Sequence, residues 1–115
     1  MVLRQVLKSK IHRATITEAN VDYIGSITID ADLMERVDLL PGELVHVWNL
    51  TNGERFVTYA IAGEPGSGVI CINGAAALRV AVGQKVIIAS FALANEPVTP
   101  RIILVDDNNR FVKYL

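Results

Sequence analysis

The chain has 115 residues, 51% of them apolar and 20% charged, with a net charge of −1 and a mean hydropathy of +0.37. That is room for one domain, with roughly 66% of the unfolded chain's surface buried on folding, and too little for a second core. The apolar content excludes intrinsic disorder, and the near-neutral charge argues against a general polyanion binder, whose affinity grows with its lysine and arginine contacts.

The charge is unevenly placed. Arg4, Lys8, Lys10 and Arg13 make residues 1–13 a basic segment of about +4 with no acid, read here as an arm, and the rest of the chain then carries about −5. No apolar run approaches the ~18 residues of a membrane span, and the start lacks the hydrophobic block of a secretory signal, which places the protein in the cytoplasm. The lone Cys71 has no partner for an intrachain disulfide and reads as a buried small hydrophobe.

Taken in order, Ile11 to Thr17 alternates in β-branched residues and predicts a strand, and Ile27 to Ile29 a shorter one. Asp30 offers an N-cap to a helix of at most two turns in ADLMERVDLL, with Leu33, Met34 and Val37 at helical spacing and Pro41-Gly42 as its stop. Leu44 to Leu50 and Arg55 to Ile61 read as strands joined through Thr51-Asn52-Gly53, a strong hairpin signal. After a loop at Glu64 to Gly68, Val69 to Ile72 predicts a buried strand. Asn73 to Ala77 predicts a tight turn into a short helix, and Lys85 to Leu93 a long strand. Asn95 to Pro100 breaks the chain. Arg101 to Val105 and Arg110 to Tyr114 then flank the polar turn Asp106 to Asn109. Many short strands with one or two short helices point to a mainly β fold, a small barrel, without internal repeats.

Few residues signal chemistry by pattern alone. His12 and His46 lack a third ligand at metal spacing, and the glycine-rich turns lack the endings of phosphate or dinucleotide loops. Arg55 after the hairpin reads as a solvated strand edge, and Trp48 and Tyr59 as core or core-rim residues. The unusual place is Tyr23-Ile24-Gly25-Ser26, where a Gly-Ser pair interrupts two β-like stretches with no Asn or Asp to make an efficient turn. A strained glycine carbonyl beside a serine hydroxyl is open to attack.

Lys10-Ile11-His12-Arg13, Tyr23-x-Gly25-Ser26, Trp48 to Ile61 with Thr51-Asn52-Gly53-x-Arg55 and Thr58-Tyr59, Ile72-Asn73-Gly74-Ala75-Ala76-Ala77 and Val86 to Phe91 stand in one order across almost the whole chain. In these blocks the sequence resembles the pyruvoyl-dependent aspartate 1-decarboxylases. It departs from the pattern at Ile24, where some members carry Glu, and in a short carboxy-terminal tail that bears on oligomer edges.

The resemblance implies a six-stranded double-psi β-barrel with short helices, one domain, assembled as a homotetramer with active sites between neighbouring subunits. It implies self-cleavage between Gly25 and Ser26 into a β-chain, 1–25, and an α-chain, 26–115. Thr58 would assist, and Ser26 would become a covalent pyruvoyl group that forms a Schiff base with L-aspartate. Loss of CO2 and protonation by Tyr59 would give β-alanine for pantothenate and coenzyme A synthesis. Arg55 and Lys10 would hold carboxylates, Gly74, Ala75 and Ala76 would line the pocket with Thr58, and His12 would be a local helper. No metal, nucleic-acid or membrane partner is implied, and the need for a maturation factor is left open. From a different class, the residues also admit a small β-barrel binding module whose basic arm touches nucleic acid.

Overall fold

A computed structural model describes residues 1–115. Nine strands and two short helices follow in order: β1 (Arg4–Thr15), β2 (Glu18–Asn20), β3 (Ser26–Asp30), α1 (Ala31–Arg36), β4 (Leu44–Asn49), β5 (Arg55–Gly63), β6 (Ile70–Asn73), a 3₁₀ helix (Gly74–Arg79), β7 (Lys85–Ala94), β8 (Arg101–Val105) and β9 (Phe111–Tyr114). They pair in the order β2-β6-β3-β5-β4-β7-β1-β8-β9, so six strands lie between β2 at one end and the β8-β9 hairpin at the other.

The order closes on itself. β1 and β2 lie far apart in it yet are joined by Ile16-Thr17 alone, where Ile16 N–H donates to Gln84 O just before β7 and Thr17 N–H to Ile70 O on β6. Inside, Ile11, Ile27, Ile29, Val45, Val47, Ile70, Ile72, Val86, Ile88 and Ile103 form one buried cluster, with Leu33 and Met34 of α1 packed into it. The β-branched residues favoured in strands thus alternate inward and leave every second side chain on the outer surface.

Polar side chains pin the loops. Asp30 caps α1 by accepting from Asp32 N–H at 2.9 Å, and also takes Gly66 N–H and Gly68 N–H at 3.0 and 2.8 Å. Asn109, buried at φ +59°, accepts from Thr15 N–H and donates to Thr15 O and Gly68 O, all within 2.8 Å. Asn109→Ala removes all three bonds and strands buried backbone groups. With about 1–3 kcal/mol for each such group, the loss should total about 3 kcal/mol and lower Tm by roughly 10 °C or more in calorimetry.

Two expectations are corrected, and one strand was not foreseen. The first strand runs from Arg4 to Thr15, and residues 4–13 are therefore not a free arm: they lie between β7 and β8, and Lys8 is bound to Glu43 at 2.9 Å. Lys8, Ser9 and Lys10 hid this strand because Lys8 and Ser9 find their partners, Glu43 and Val37 O, far along the chain. The helix stops at Arg36, well before Pro41, because Asp38 takes a left-handed φ of +58° and Leu39 N–H turns back to Met34 O. β2 is a strand with no signal of its own, formed only because β6 offers it an edge.

Candidate active site

Gly25-Ser26 lies at the entry to β3. Ser26 is fully buried and is paired across the antiparallel β3-β6 ladder with Asn73. Paired residues share a face of the sheet, and Asn73 Nδ2 accordingly donates to Ser26 Oγ at 3.0 Å and to Thr28 Oγ1 at 3.3 Å. Asn73 stood in the sequence as a turn residue and as part of the Ile72 to Ala77 block, with no role of its own at the site. A buried amide next to a tight turn is a signal in hindsight, but its pairing with residue 26 is a long-range fact.

Gly74 follows with φ +74°, and a side chain there is excluded by the cleavage loop itself: a Cβ would lie 2.6 Å from Gly25 Cα and 3.3 Å from Tyr23 O. Only glycine lets this turn press against the Gly25 backbone. Ala75 and Ala76 continue into the 3₁₀ helix, Ala75 exposed and Ala76 half-buried against the core, so of this run Gly74 is the residue set against the cleavage loop.

On the other side of β3 lies β5, parallel to it, with Ile27 opposite Ala60. Carried one step back, that register sets Ser26 beside Tyr59; Gly25 and Thr58 precede them on their own segments. β5 carries no bulge through this stretch, its paired residues alternating regularly, so Thr58 and Tyr59 point to opposite faces. Thr58 pairs with the core residue Val45. Tyr59 lies on the outside and is 40% exposed, which corrects its reading as a core residue.

The other expected residues are on the outer surface, away from this Ser26. Lys10 pairs with Ala89, Ala89 with His46, and His46 with Val57, one row across β1, β7, β4 and β5. Trp48 is the next outward residue on β4 and is half-buried there, not in the core. Arg55 pairs with it and stacks its guanidinium 4.9 Å over the indole ring. At ~3.3 Å per residue, Arg55 is about 13 Å along β5 from Tyr59, and Lys10 lies on β1, four strands from β3 in the sheet order. His12, also on β1, has a buried Nδ1 with no partner. Burial, with Lys10 and Arg13 adding positive charge, lowers its pKa, so neutral imidazole prevails at pH 7.

The structure thus defines a small β-barrel with a buried serine beside a tight glycine turn at one strand entry, and a separate cationic and aromatic outer face. Two rationally designed DPBB (double-psi β-barrel) proteins share this fold. One has a TM-score of 0.52 and 16% identity, covering 69% of this chain and 92% of its own; the other has 0.51 and 19%, covering 68% and 97%. A family model described as aspartate decarboxylase matches residues 2–112. The aspartate 1-decarboxylase of Caldicellulosiruptor saccharolyticus is 58% identical over 97% of this chain and 91% of its own. That of Albidiferax ferrireducens is 53% identical over 95% and 84%, and that of Thermoanaerobacter pseudethanolicus 55% over 93% and 95%. The chain belongs to the aspartate decarboxylase family.

Proposed function

We infer that the protein decarboxylates L-aspartate to β-alanine after cutting its own chain at Gly25-Ser26, the product feeding pantothenate and coenzyme A synthesis. The observation that supports this reading is the buried Ser26 at the entry to β3, bonded to Asn73, with the Gly74 turn pressed against Gly25.

In the first stage Ser26 Oγ attacks the Gly25 carbonyl carbon. The C–N bond breaks, the hydroxyl proton passes to the departing amine, and an ester links the two parts. Thr58, one residue before Tyr59 on β5, supplies a hydroxyl toward the oxyanion that develops. Loss of the Ser26 Cα proton with departure of the Gly25 carboxylate leaves dehydroalanine at residue 26, and water then releases ammonia. The products are chains 1–25 and 26–115, the second beginning with a pyruvoyl group.

The residues present fit that group: Asn73 Nδ2, which donates to Ser26 Oγ before the cut, is left facing residue 26 once that oxygen departs with Gly25, and Gly74 carries no side chain toward the cleavage loop. When formed, the pyruvoyl group supplies an electrophilic carbonyl that binds the substrate amine and accepts the electron pair left by CO2. Tyr59 stands beside residue 26 on the outer face and gives the proton that replaces the carboxylate. Arg55, held by Trp48, clamps a carboxylate through two parallel donors, and Lys10 contributes a point charge.

Arg55 stands about 13 Å along β5 from Tyr59, farther than a substrate of aspartate's size spans. The reading is therefore a homotetramer in which one protomer provides residue 26 and a neighbour the carboxylate clamp. The outer face supports this, since Leu44, Val57, Phe91 and Leu93 are exposed around the clamp, an apolar surface of the kind a partner covers. No helix is long and apolar enough to cross a membrane. The expected site of action is the cytoplasm.

Arg55→Ala should cleave normally and lose about 10- to 150-fold in kcat/KM, the equivalent of a charge-assisted contact of roughly 1.5–3 kcal/mol. Co-expressing Arg55→Ala with Ser26→Ala subunits tests the shared site. Mixed tetramers should regain aspartate turnover, because some sites then pair an intact residue 26 with an intact Arg55. Mixtures no more active than the two parents would place both residues in one protomer's site and overturn the composite arrangement.

A further inference from the structure

The outer face of β2, β6 and β3 carries a polar cluster that the proposed chemistry uses only in part. The register sets Glu18 beside Cys71 and Asn20 beside Asn73 across β2 and β6, and Thr28 opposite Cys71 and Ser26 opposite Asn73 across β3 and β6. Together with Tyr23 and Val69, five of these residues, Glu18, Asn20, Thr28, Cys71 and Asn73, border a cleft of about 210 Å³.

Within the cluster the Asn73 amide has a definite division of labour. Its Nδ2 faces the hydroxyl oxygens of Ser26 and Thr28 at 3.0 and 3.3 Å, and its Oδ1 faces Cys71 Sγ at 3.3 Å. An amide carries donors at one end and an acceptor at the other, so the identity of the group at Oδ1 decides which end Ser26 meets. A protonated thiol is a donor and a poor acceptor, and it therefore favours oxygen on its own side. Cys71 is 6% exposed, and burial, followed by the Glu18 carboxylate, pushes its pKa up to about 11, so it keeps its hydrogen at neutral pH. That hydrogen has a second acceptor within reach in Glu18. Glu18 is exposed and solvated by water, whereas the buried Oδ1 has the thiol as its donor.

We propose that Cys71 is a positioning residue for self-cleavage: its thiol, donating to Asn73 Oδ1, holds the amide in the orientation that presents Nδ2 to Ser26 Oγ. The consequence concerns the Ser26 proton. With Nδ2 facing it, Ser26 Oγ is an acceptor whose position is fixed while its own proton stays free to move to the departing amide nitrogen. With the amide reversed, the hydroxyl would donate to Oδ1 and its proton would be tied up. This inference rests on the self-cleavage reading above and adds a residue that touches neither the scissile bond nor the substrate.

The test follows full-length chains made by cell-free synthesis, with intact mass read at intervals during warm incubation. Cys71→Ser keeps a donor and should cut at about the parent rate. Cys71→Ala and Cys71→Val lose the donor and should both cut about five- to ten-fold more slowly, the rate equivalent of one lost hydrogen bond. The pair separates positioning from packing. Valine fills the buried volume and should keep or raise Tm while still slowing the cut, and a packing role would instead make Val faster than Ser. A parent that cuts with Cys71→Val matching it overturns the Cys71 assignment alone. A parent that stays uncut overturns the self-cleavage reading, and this inference falls with it.

Discussion

Ser26→Ala is expected to yield one uncut chain of 12.5 kDa with no aspartate turnover at all, whereas the parent yields two fragments, the larger beginning at residue 26 with a blocked, ketone-bearing terminus. The substitution removes one oxygen, the nucleophile, and nothing else can replace it. Intact mass spectrometry reads the outcome directly. The variant should also fold: alanine suits the fully buried position opposite Asn73, and the cost is limited to the Asn73 bond, about 1 kcal/mol. A parent showing a single full-length mass after prolonged warm incubation, or a Ser26→Ala chain that still cuts at this bond, would overturn the proposed first stage.

The second large effect is at Tyr59. Tyr59→Phe keeps the ring on the outer face of β5 and removes only the hydroxyl. It should cut between Gly25 and Ser26 at the parent rate, because the residue assigned to that step is Thr58, on the opposite face of the strand. It should still capture aspartate, which borohydride reduction followed by mass spectrometry detects as a stable adduct on the 26–115 chain. Release of β-alanine should fall by about 10² to 10⁴, the usual contribution of a positioned general acid. Tyr23 is the competing phenol, on the cleavage loop and 62% exposed. Near-parent turnover by Tyr59→Phe, with Tyr23→Phe failing after normal cleavage, would move the proton donor to Tyr23.

These two variants rest on information of different kinds. Gly25-Ser26 was legible as an interruption between β-like stretches, and its meaning came from the order of the blocks around it. The separate roles proposed for Thr58 and Tyr59 come from the resemblance, while their opposite faces on β5 come from strand alternation. Asn73 escaped because its role depends on standing opposite Ser26, 47 residues away in the chain.

Local chemistry determined most of the elements. Alternating Val45 and Val47 mark β4 and the run Val86-Ile87-Ile88 marks β7, Asn52-Gly53 turns the chain between β4 and β5, and Asp30 caps α1, all through interactions within a few residues. Composition fixed the single core, and the ordered motifs the family. The tertiary structure decided the rest. It drew the basic first segment into the barrel, made a strand of Glu18–Asn20, and ended α1 early at Asp38. It also set Arg55 four residues along β5 from Tyr59 and placed Lys10 on β1, four strands from β3 in the sheet order. Each of these depends on which strand lies beside which. Strand pairing is set by closing the barrel around a shared core, a long-range condition that no window of neighbouring residues contains.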